Sequence, residues 1–537
     1  MRGSTWLSII LLIALLVRVV GLSNTPDGFH ADEASYLVNT VSILETGRDE
    51  DGQLLAPSLH SLIDPKPALF SYLQAPFVAL LGPTHAAARL PSAVLGVISL
   101  FIIYRLFSVL GEKKVGLIVI TLLAISPWHI AISRGTQEVI SSFVFFTSSL
   151  YFLLAYLQSK KLRPLILFFV TAFLSMYLYH SAKVVLPLIS TLVAAWFLYQ
   201  KKLSKNAAKG LLVGMLAMVG LSLLVQNSSI RLHSVSIFSS PQPIIDITEQ
   251  TYAATPLAPL QILRIFYNKP HFYGREIINQ YVTYFSPSFL FFDWSAPSRY
   301  SVPFHGLFYL IEIPLLVGGI YLAIARKRKE ALLMTLLLII APLPATITSQ
   351  EVPSTIRSFI AVLPVTYFIA LAVNQILSLK IVRLRRAAIG TLIALYLISF
   401  SYFVMQYGIQ QKVYQPWYRN SPYEAIAAEI GQYADDFDRI VVTSDLRPLY
   451  AYLVLSGQLT VADLQAQPFA RDKEEYQLGK YIFSRSHCRT DAEWSTRTLY
   501  VMEIACLDEL KDKRLSILDT ITYRDGVAVY AFVSYTN

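Results

Sequence analysis

Long apolar runs separated by short polar connectors repeat along this chain as far as residue 405. Eleven runs approach or exceed the length that crosses a bilayer: 5–22, 88–110, 115–127, 138–157, 164–180, 184–200, 210–225, 303–324, 331–347, 358–378 and 387–405. The third ends at Ser126-Pro127, and the "PWHI" after it is expected to dip into the membrane interface, where Trp is at home. Two weaker patterns lie between the first two runs. "ADEASYLVNTVSILETG" places Ala34, Leu37, Val41 and Leu44 on one helical face. "ALFSYLQAPFVALLG" is apolar but short and interrupted by Pro76. Both suit helices lying along the membrane surface.

After residue 405 the period changes. "SPYEAIAAEIGQYADD" predicts a helix with Ser421 as N-cap, Pro422 in the first turn and Glu424 three residues after the cap. "RIVVTSD" (439–445) and "TLYVMEIA" (498–505) read as strands, and 517–535 as a hairpin turning at Asp525-Gly526. The pattern therefore predicts a polytopic α-helical membrane domain, residues 1–405, with loops 23–87 and 226–302, followed by a soluble α/β domain, residues 406–537.

Composition agrees: 54% of residues are hydrophobic and 15% charged, below the charge content of soluble domains. The net charge of +10 is concentrated in short connectors such as "GEKK" (111–114), "SKKLRP" (159–164) and "ARKRKE" (325–330). Basic connectors of this kind mark the cytoplasmic side and account for the charge without nucleic acid. They put the N-terminus inside, and residues 23–87, 226–302 and 406–537 outside, at a cytoplasmic membrane. No small-residue cleavage site follows the first run, which is read as a retained span. Arg18 within it is expected to snorkel outward or to pair with a loop acid. The two cysteines, Cys488 and Cys506, fall in an oxidising setting where a disulfide is the favoured reading and two buried thiols the alternative.

The polar residues near the spans gather on the outer side. Asp32 and Glu33 follow the first span, and Asp64 and Lys66 close the same loop. Arg134 and Glu138 lie between the third and fourth spans; Tyr179, His180 and Lys183 between the fifth and sixth; Arg357 between the ninth and tenth. Carboxylates can take a proton from a hydroxyl, and cations can hold a phosphate leaving group. Each residue also has a plainer reading. Asp32 and Glu33 suit a helix start, with His30 as a surface neighbour. Arg134 and Glu138 have the spacing of an i,i+4 ion pair. Lys183 suits a snorkelling lysine, and Arg357 a span anchor. A transporter or flippase shares the many spans, although it would hold its polar groups nearer mid-membrane.

In order, "HADEASY", "KPALFSYLQAP", "ARLPSAVLG", "SPWHIAISRGTQEV", "YLYHSAKVVLP" and "PLPATITSQEVPSTIRSF" resemble the motifs of the protein O-mannosyltransferase and lipid A aminoarabinose transferase group, glycosyltransferase family 39. The resemblance runs over roughly residues 10–380 and implies the C-type glycosyltransferase fold. It implies transfer of a monosaccharide from a polyprenyl-phosphate donor to a hydroxyl, with inversion, beside membrane lipid. Carried over, Asp32 is the general base and Glu33 its partner. Lys66, Arg134, Lys183 and Arg357 bind the donor phosphate. Glu138, His180 and Tyr179 stand near the acceptor or behind the site. The family's "KPP" is "KPA" here, and Lys183 stands where relatives carry arginine. The resemblance implies no particular cofactor; metal use varies among relatives, so a divalent metal remains compatible. The Trp-Trp-Asp signature of oligosaccharyltransferases is absent.

Overall fold

The computed structural model describes residues 2–60, 65–226, 236–292, 297–326, 328–443, 446–473, 475–484, 486–488, 494–510 and 514–536. Asp64 lies outside them. The chain forms two compact units. A helical unit comprises residues up to Val20, Ser92–Ser133 and Glu138–Val404; a sheet-bearing unit comprises Gly21–Pro91, Arg134–Gln137 and Met405–Asn537. Residues of the first loop thus share a compact unit with the C-terminal residues, a grouping that periodicity does not reveal.

The first ten helices are α1 (Arg2–Val19), α2 (Ala31–Thr46), α3 (Leu69–Leu81), α4 (His85–Val109), α5 (Lys113–Ile125), α6 (Pro127–Arg134), α7 (Glu138–Ser159), α8 (Leu162–Leu178), α9 (Ala182–Tyr199) and α10 (Lys205–Gln226). Among the described residues, six helices are long and apolar enough to cross a membrane, and α5 with α6 makes a further candidate bent by 60°. The other predicted spans fall on shorter apolar helices: Thr5–Val19, Leu162–Leu178, Glu312–Ala325 and Glu330–Ala345.

The bend at Ser126-Pro127 follows from proline, which withholds an N–H and ends the ladder of α5. It leaves the last α5 carbonyls short of helical donors, which is costly where water is absent. Arg18 supplies them: Nη2 donates to Leu123 O at 3.1 Å and Nη1 to Ala124 O at 3.1 Å and Ala14 O at 3.0 Å. Nη2 also meets His129 Nδ1 at 2.9 Å, and His129 Nε2 meets Ser99 Oγ at 3.0 Å. Arg18 is fully buried, so it does not snorkel outward. Trp128 also departs from expectation. It is buried, edge-on to Phe289, Phe308 and Phe359, with Nε1 donating to Thr355 O at 3.1 Å. The edge-to-face contacts hold the ring, and its N–H finds the acceptor that a buried indole needs.

In the sheet-bearing unit, β1 (Ser58–Leu59) and β2 (Lys66–Pro67) form a small antiparallel ladder. The remaining strands are β3 (Arg439–Val442), β4 (Tyr476–Leu478), β5 (Tyr481–Phe483), β6 (Thr498–Glu503), β7 (Leu515–Thr522) and β8 (Ala528–Tyr535). They form one sheet in the order β4-β5-β3-β6-β8-β7, with β3 parallel to both its neighbours and the other pairs antiparallel. β7 and β8 are the expected hairpin, turned by Gly526 at φ 86°. Cys488 and Cys506 form a disulfide. Ser421 does not cap the helix Tyr423–Tyr433; Pro422 takes that position, and the Ser421 hydroxyl turns to Asp27 Oδ2 at 3.3 Å.

The apolar face of α2 does not lie on a membrane surface. Ala34, Leu37 and Val38 join one core with Ile426, Ile430, Leu449, Leu453, Val442 and Phe532, whereas Leu44 is exposed. The polar end of α2 is tied to the same C-terminal residues. Gln465 Nε2 donates to Ser42 Oγ and Asp49 O at 3.0 and 2.9 Å, and Phe469 N–H to Asp51 Oδ1 at 2.9 Å. Buried Arg471 meets Asp51 at 2.6 Å and Glu50 at 3.6 Å.

Candidate functional site

Two clusters collect the residues singled out above, one in each unit.

In the sheet-bearing unit, the start of α2 carries the acidic pair. Its N-terminal N–H groups need acceptors, and the sequence supplies a capping box. His30 Nδ1 accepts from Asp32 N at 3.1 Å, and Glu33 Oε2 accepts from His30 N at 3.2 Å. His30 is thus the N-cap, a task that ordinary cap preferences would not assign to histidine. Adjacent helical residues diverge by about 100°, so Asp32 and Glu33 meet different surroundings.

Glu33 is fully buried. Oε1 accepts from Arg89 Nε at 3.0 Å and from Thr136 N at 2.9 Å; Oε2 accepts from Arg89 Nη2 at 3.2 Å and Arg419 Nη2 at 2.5 Å. Burial alone would raise its pKa, but the charges of Arg89 and Arg419 and these donors hold the carboxyl well below the usual range. A carboxylate so fully engaged is an anchor.

Asp32 is partly exposed, with 27% of its side-chain surface accessible. Lys66 Nζ lies 2.9 Å from its Oδ1, and His30 Nδ1 3.3 Å from its Oδ2. Lys66 also sits over the Tyr36 ring at 5.1 Å. Beside the Asp32 carboxylate thus stand a cation and an imidazole, whereas a hard divalent cation prefers oxygen ligands. Among the described residues, one group of three potential metal ligands lies close together, His487, Cys488 and Cys506, and two of its sulfurs are joined in the disulfide.

Arg134 ends α6 and Glu138 begins α7, so the break at 135–137 removes the i,i+4 geometry of a helical ion pair. Arg134 Nη2 donates to Thr25 O at 2.8 Å, and its guanidinium lies over the Tyr407 ring at 5.8 Å. It is buried, bracing the loop before α2 rather than presenting an open cation.

In the helical unit, Tyr179, His180, Lys183 and Arg357 line one cavity of about 290 Å³. Its apolar wall is Val184, Val219, Leu223, Pro344 and Ile347, and Ser181, Ser236 and Thr348 add hydroxyls. The position of His180 and Lys183 follows from the end of α8: Tyr179 turns extended as its C-cap, and α9 restarts at Ala182. Lys183 Nζ is 3.4 Å from His180 Nδ1. Arg357 is oriented by Thr348 Oγ1 at 3.0 Å and by Gln350 O, with Glu351 only at 3.9 Å. Ser181 Oγ donates to Arg357 O at 2.8 Å, tying the two stretches together.

Arg89, Arg419, Asn420 and Tyr452 belong with the acidic cluster and were not singled out in the sequence. One signal was available: Arg89 is a cation near the start of the apolar helix His85–Val109, and such a charge needs an anion.

Residues 65–230 match the family model described as dolichyl-phosphate-mannose-protein mannosyltransferase. This agrees with the family drawn from the motifs. No curated protein matches the chain. Similar solved structures include ArnT from Cupriavidus metallidurans in the apo state, at 14% identity and TM-score 0.47, covering 99% of this chain and 98% of that one. The same protein bound to undecaprenyl phosphate gives 15% identity and TM-score 0.47, covering 98% of each chain. The archaeal oligosaccharyltransferase AglB from Archaeoglobus fulgidus, in complex with an inhibitory peptide and a dolichol-phosphate, gives 12% identity and TM-score 0.49 over 84% of this chain. The chain spans 63% of the length of that oligosaccharyltransferase.

Proposed function

Taking the chain as a glycosyltransferase of the kind its residues 65–230 match, we propose that it transfers one monosaccharide from a polyprenyl-phosphate donor to a hydroxyl acceptor. The reaction is placed at the outer face of the cytoplasmic membrane, with the N-terminus inside and the C-terminal residues outside. The observation that carries this reading is the cavity in which Lys183 and Arg357 stand beside a wall of Val184, Val219, Leu223 and Ile347. Cations next to lipid-like side chains suit a phosphate that carries a prenyl tail.

The acceptor oxygen attacks the anomeric carbon. The bond from that carbon to the phosphate oxygen breaks, and polyprenyl phosphate leaves with the electron pair. The acceptor proton passes to the Asp32 carboxylate. Lys183 and Arg357 are assigned to bind the donor phosphate. Asp32 takes the base role because it is the accessible carboxylate of the pair, with Lys66 setting its orientation at 2.9 Å. Glu33 and Arg134 hold the loop that carries it. Glu138 is assigned to the acceptor side.

The test uses the full chain reconstituted in lipid vesicles with polyprenyl-phosphate hexose donors. Mass spectrometry of donor and acceptor fractions is expected to find free polyprenyl phosphate and a hexose-bearing product. Asp32→Asn should lower transfer by about 100- to 10,000-fold while donor binding persists. Movement of intact donor across the bilayer without bond cleavage would instead establish the transporter reading.

A further inference from the structure

The main chain from Asp27 to Asp32 is held residue by residue. Asp27 O accepts from Arg419 Nε at 2.7 Å, Gly28 O from Arg89 Nη2 at 2.6 Å, and Phe29 O from the Tyr452 hydroxyl. His30 N–H donates to Glu33, Ala31 N–H to Asn420 Oδ1 at 3.0 Å, and Asp32 N–H to His30 Nδ1. Loops normally leave such groups to water. Here the partners of Asp27, Phe29 and Ala31 come from the C-terminal residues of the same compact unit.

Two further features point the same way. Gly28 sits at φ +68°, and a Cβ there would fall 2.7 Å from Arg419 O, so the two backbones are in close approach. The Asp27 side chain is bracketed as well, by Arg524 at 3.0 Å and Ser421 at 3.3 Å. Arg419 is bifunctional: Nε fixes the loop carbonyl, and Nη2 fixes the Glu33 carboxylate at 2.5 Å. One guanidinium thereby ties the loop to the first turn of α2, the turn that carries Asp32.

We propose that the C-terminal segment is a positioning device for the base: Arg419, Asn420 and Tyr452 clasp residues 27–31 and so fix where the Asp32 carboxylate projects. This rests on the reading of Asp32 as base. It assigns the C-terminal residues a part in the reaction that requires no contact with the acceptor. A small misplacement of a reacting group costs rate steeply, whereas donor binding need not change.

The test compares the full-length protein in nanodiscs with Asn420→Ala, Tyr452→Phe, Arg419→Gln and Gly28→Ala. Tyr452→Phe removes one hydrogen bond and serves where the others fail to fold; Asn420→Ala also puts Ala at φ +53°, where L side chains are disfavoured. Expected is a fall in kcat of about 10- to 100-fold with KM for the donor unchanged. Amide hydrogen exchange should accelerate in the peptide covering residues 27–34 and nowhere else. Wild-type kcat in folded variants whose 27–34 exchange is accelerated would overturn the proposal. So would loss of protection spread evenly through the chain, the mark of general destabilisation. Asp32→Asn, run in parallel, separates this from the parent reading. Full transfer in that variant sinks the base assignment, while the exchange data still report whether the clasp exists.

Discussion

The acidic cluster and the cationic cavity are built on opposite principles. Around Glu33 each charge is met by a countercharge or a backbone group, at 2.5 to 3.2 Å. In the cavity, Arg357 meets neutral oxygens of Thr348 and Gln350, its carboxylate neighbour Glu351 stands off at 3.9 Å, and the facing wall is apolar. The first arrangement has its charges consumed by structure and fixes geometry. The second keeps positive charge in surroundings that raise its value to an arriving anion. Damage to the first should therefore appear in stability and kcat, and damage to the second in donor affinity.

The largest effect should come from Glu33→Gln. It leaves Arg89 and Arg419 buried without their shared carboxylate. Removing one partner of a buried pair typically costs about 3–5 kcal/mol. Thermal and denaturant unfolding in detergent measure it. The pH dependence gives the sign. The folded pKa is depressed below the ordinary 4.5, so the stability Glu33 adds is present above that value and is lost as pH falls through the folded one. The variant should lack that acid-side slope. Wild-type unfolding in Glu33→Gln would mean that the two arginines find other partners and that the cluster is not an anchor.

Next in size is the cavity. Lys183→Ala and Arg357→Ala should each raise KM for a polyprenyl-phosphate donor by about 10- to 100-fold, the worth of one charge-assisted contact. Unfolding should shift less than in Glu33→Gln, because Arg357 meets its carboxylate neighbour Glu351 only at 3.9 Å. Conversely, a fall in stability with unchanged KM would erase the contrast between the clusters. Lys183→Arg adds a finer test: a planar fork in place of a point charge should hold phosphate at least as well.

How far the sequence revealed this differs between the same two regions. The apolar periodicity located the membrane helices, and the strand patterns located β3, β6 and the β7–β8 hairpin, because local burial fixes both. Tyr179, His180, Lys183 and Arg357 were each singled out, and they share a cavity because the short turn between α8 and α9 and the stretch 348–357 meet there. The Glu33 cluster was only half legible. Glu33 was visible, but Arg89, Thr136 and Arg419 lie 56, 103 and 386 residues away, and no local pattern encodes such separations. Arg18 misled for the same reason, since its partners are carbonyls at a helix break more than 100 residues on. The α2 face was read as membrane-facing because its apolar stripe looks alike whether it covers lipid or a neighbouring core.

The smallest effect belongs to a second polar tie within the sheet-bearing unit, and it tests whether that unit's polar contacts all behave as Glu33 does. His60 bridges Asp51, with Nδ1 to Oδ2 at 3.1 Å, and Asp472, with Nε2 to Oδ1 at 3.0 Å. The Asp51 carboxylate beside it raises the imidazole pKa above 6.5, burial opposes this, and the charge of Asp472 supports it against Arg471. A raised histidine contributes stability that is full below its unfolded pKa and is lost as pH rises through the folded one. Most of this comes from Asp51, whose side chain is buried; Asp472 is 59% exposed, so its arm is screened. Stability of the wild type should fall by about 0.5–1 kcal/mol over that window above pH 6.5, and His60→Ala should be flat there. The sign is opposite to that of Glu33, which weakens the protein only toward acid. If His60→Ala keeps the alkaline slope, another group titrates in that window. If the slope exceeds that of the Glu33 limb, the second tie outweighs the first, and the anchor of the unit lies at Asp51 and Arg471 instead.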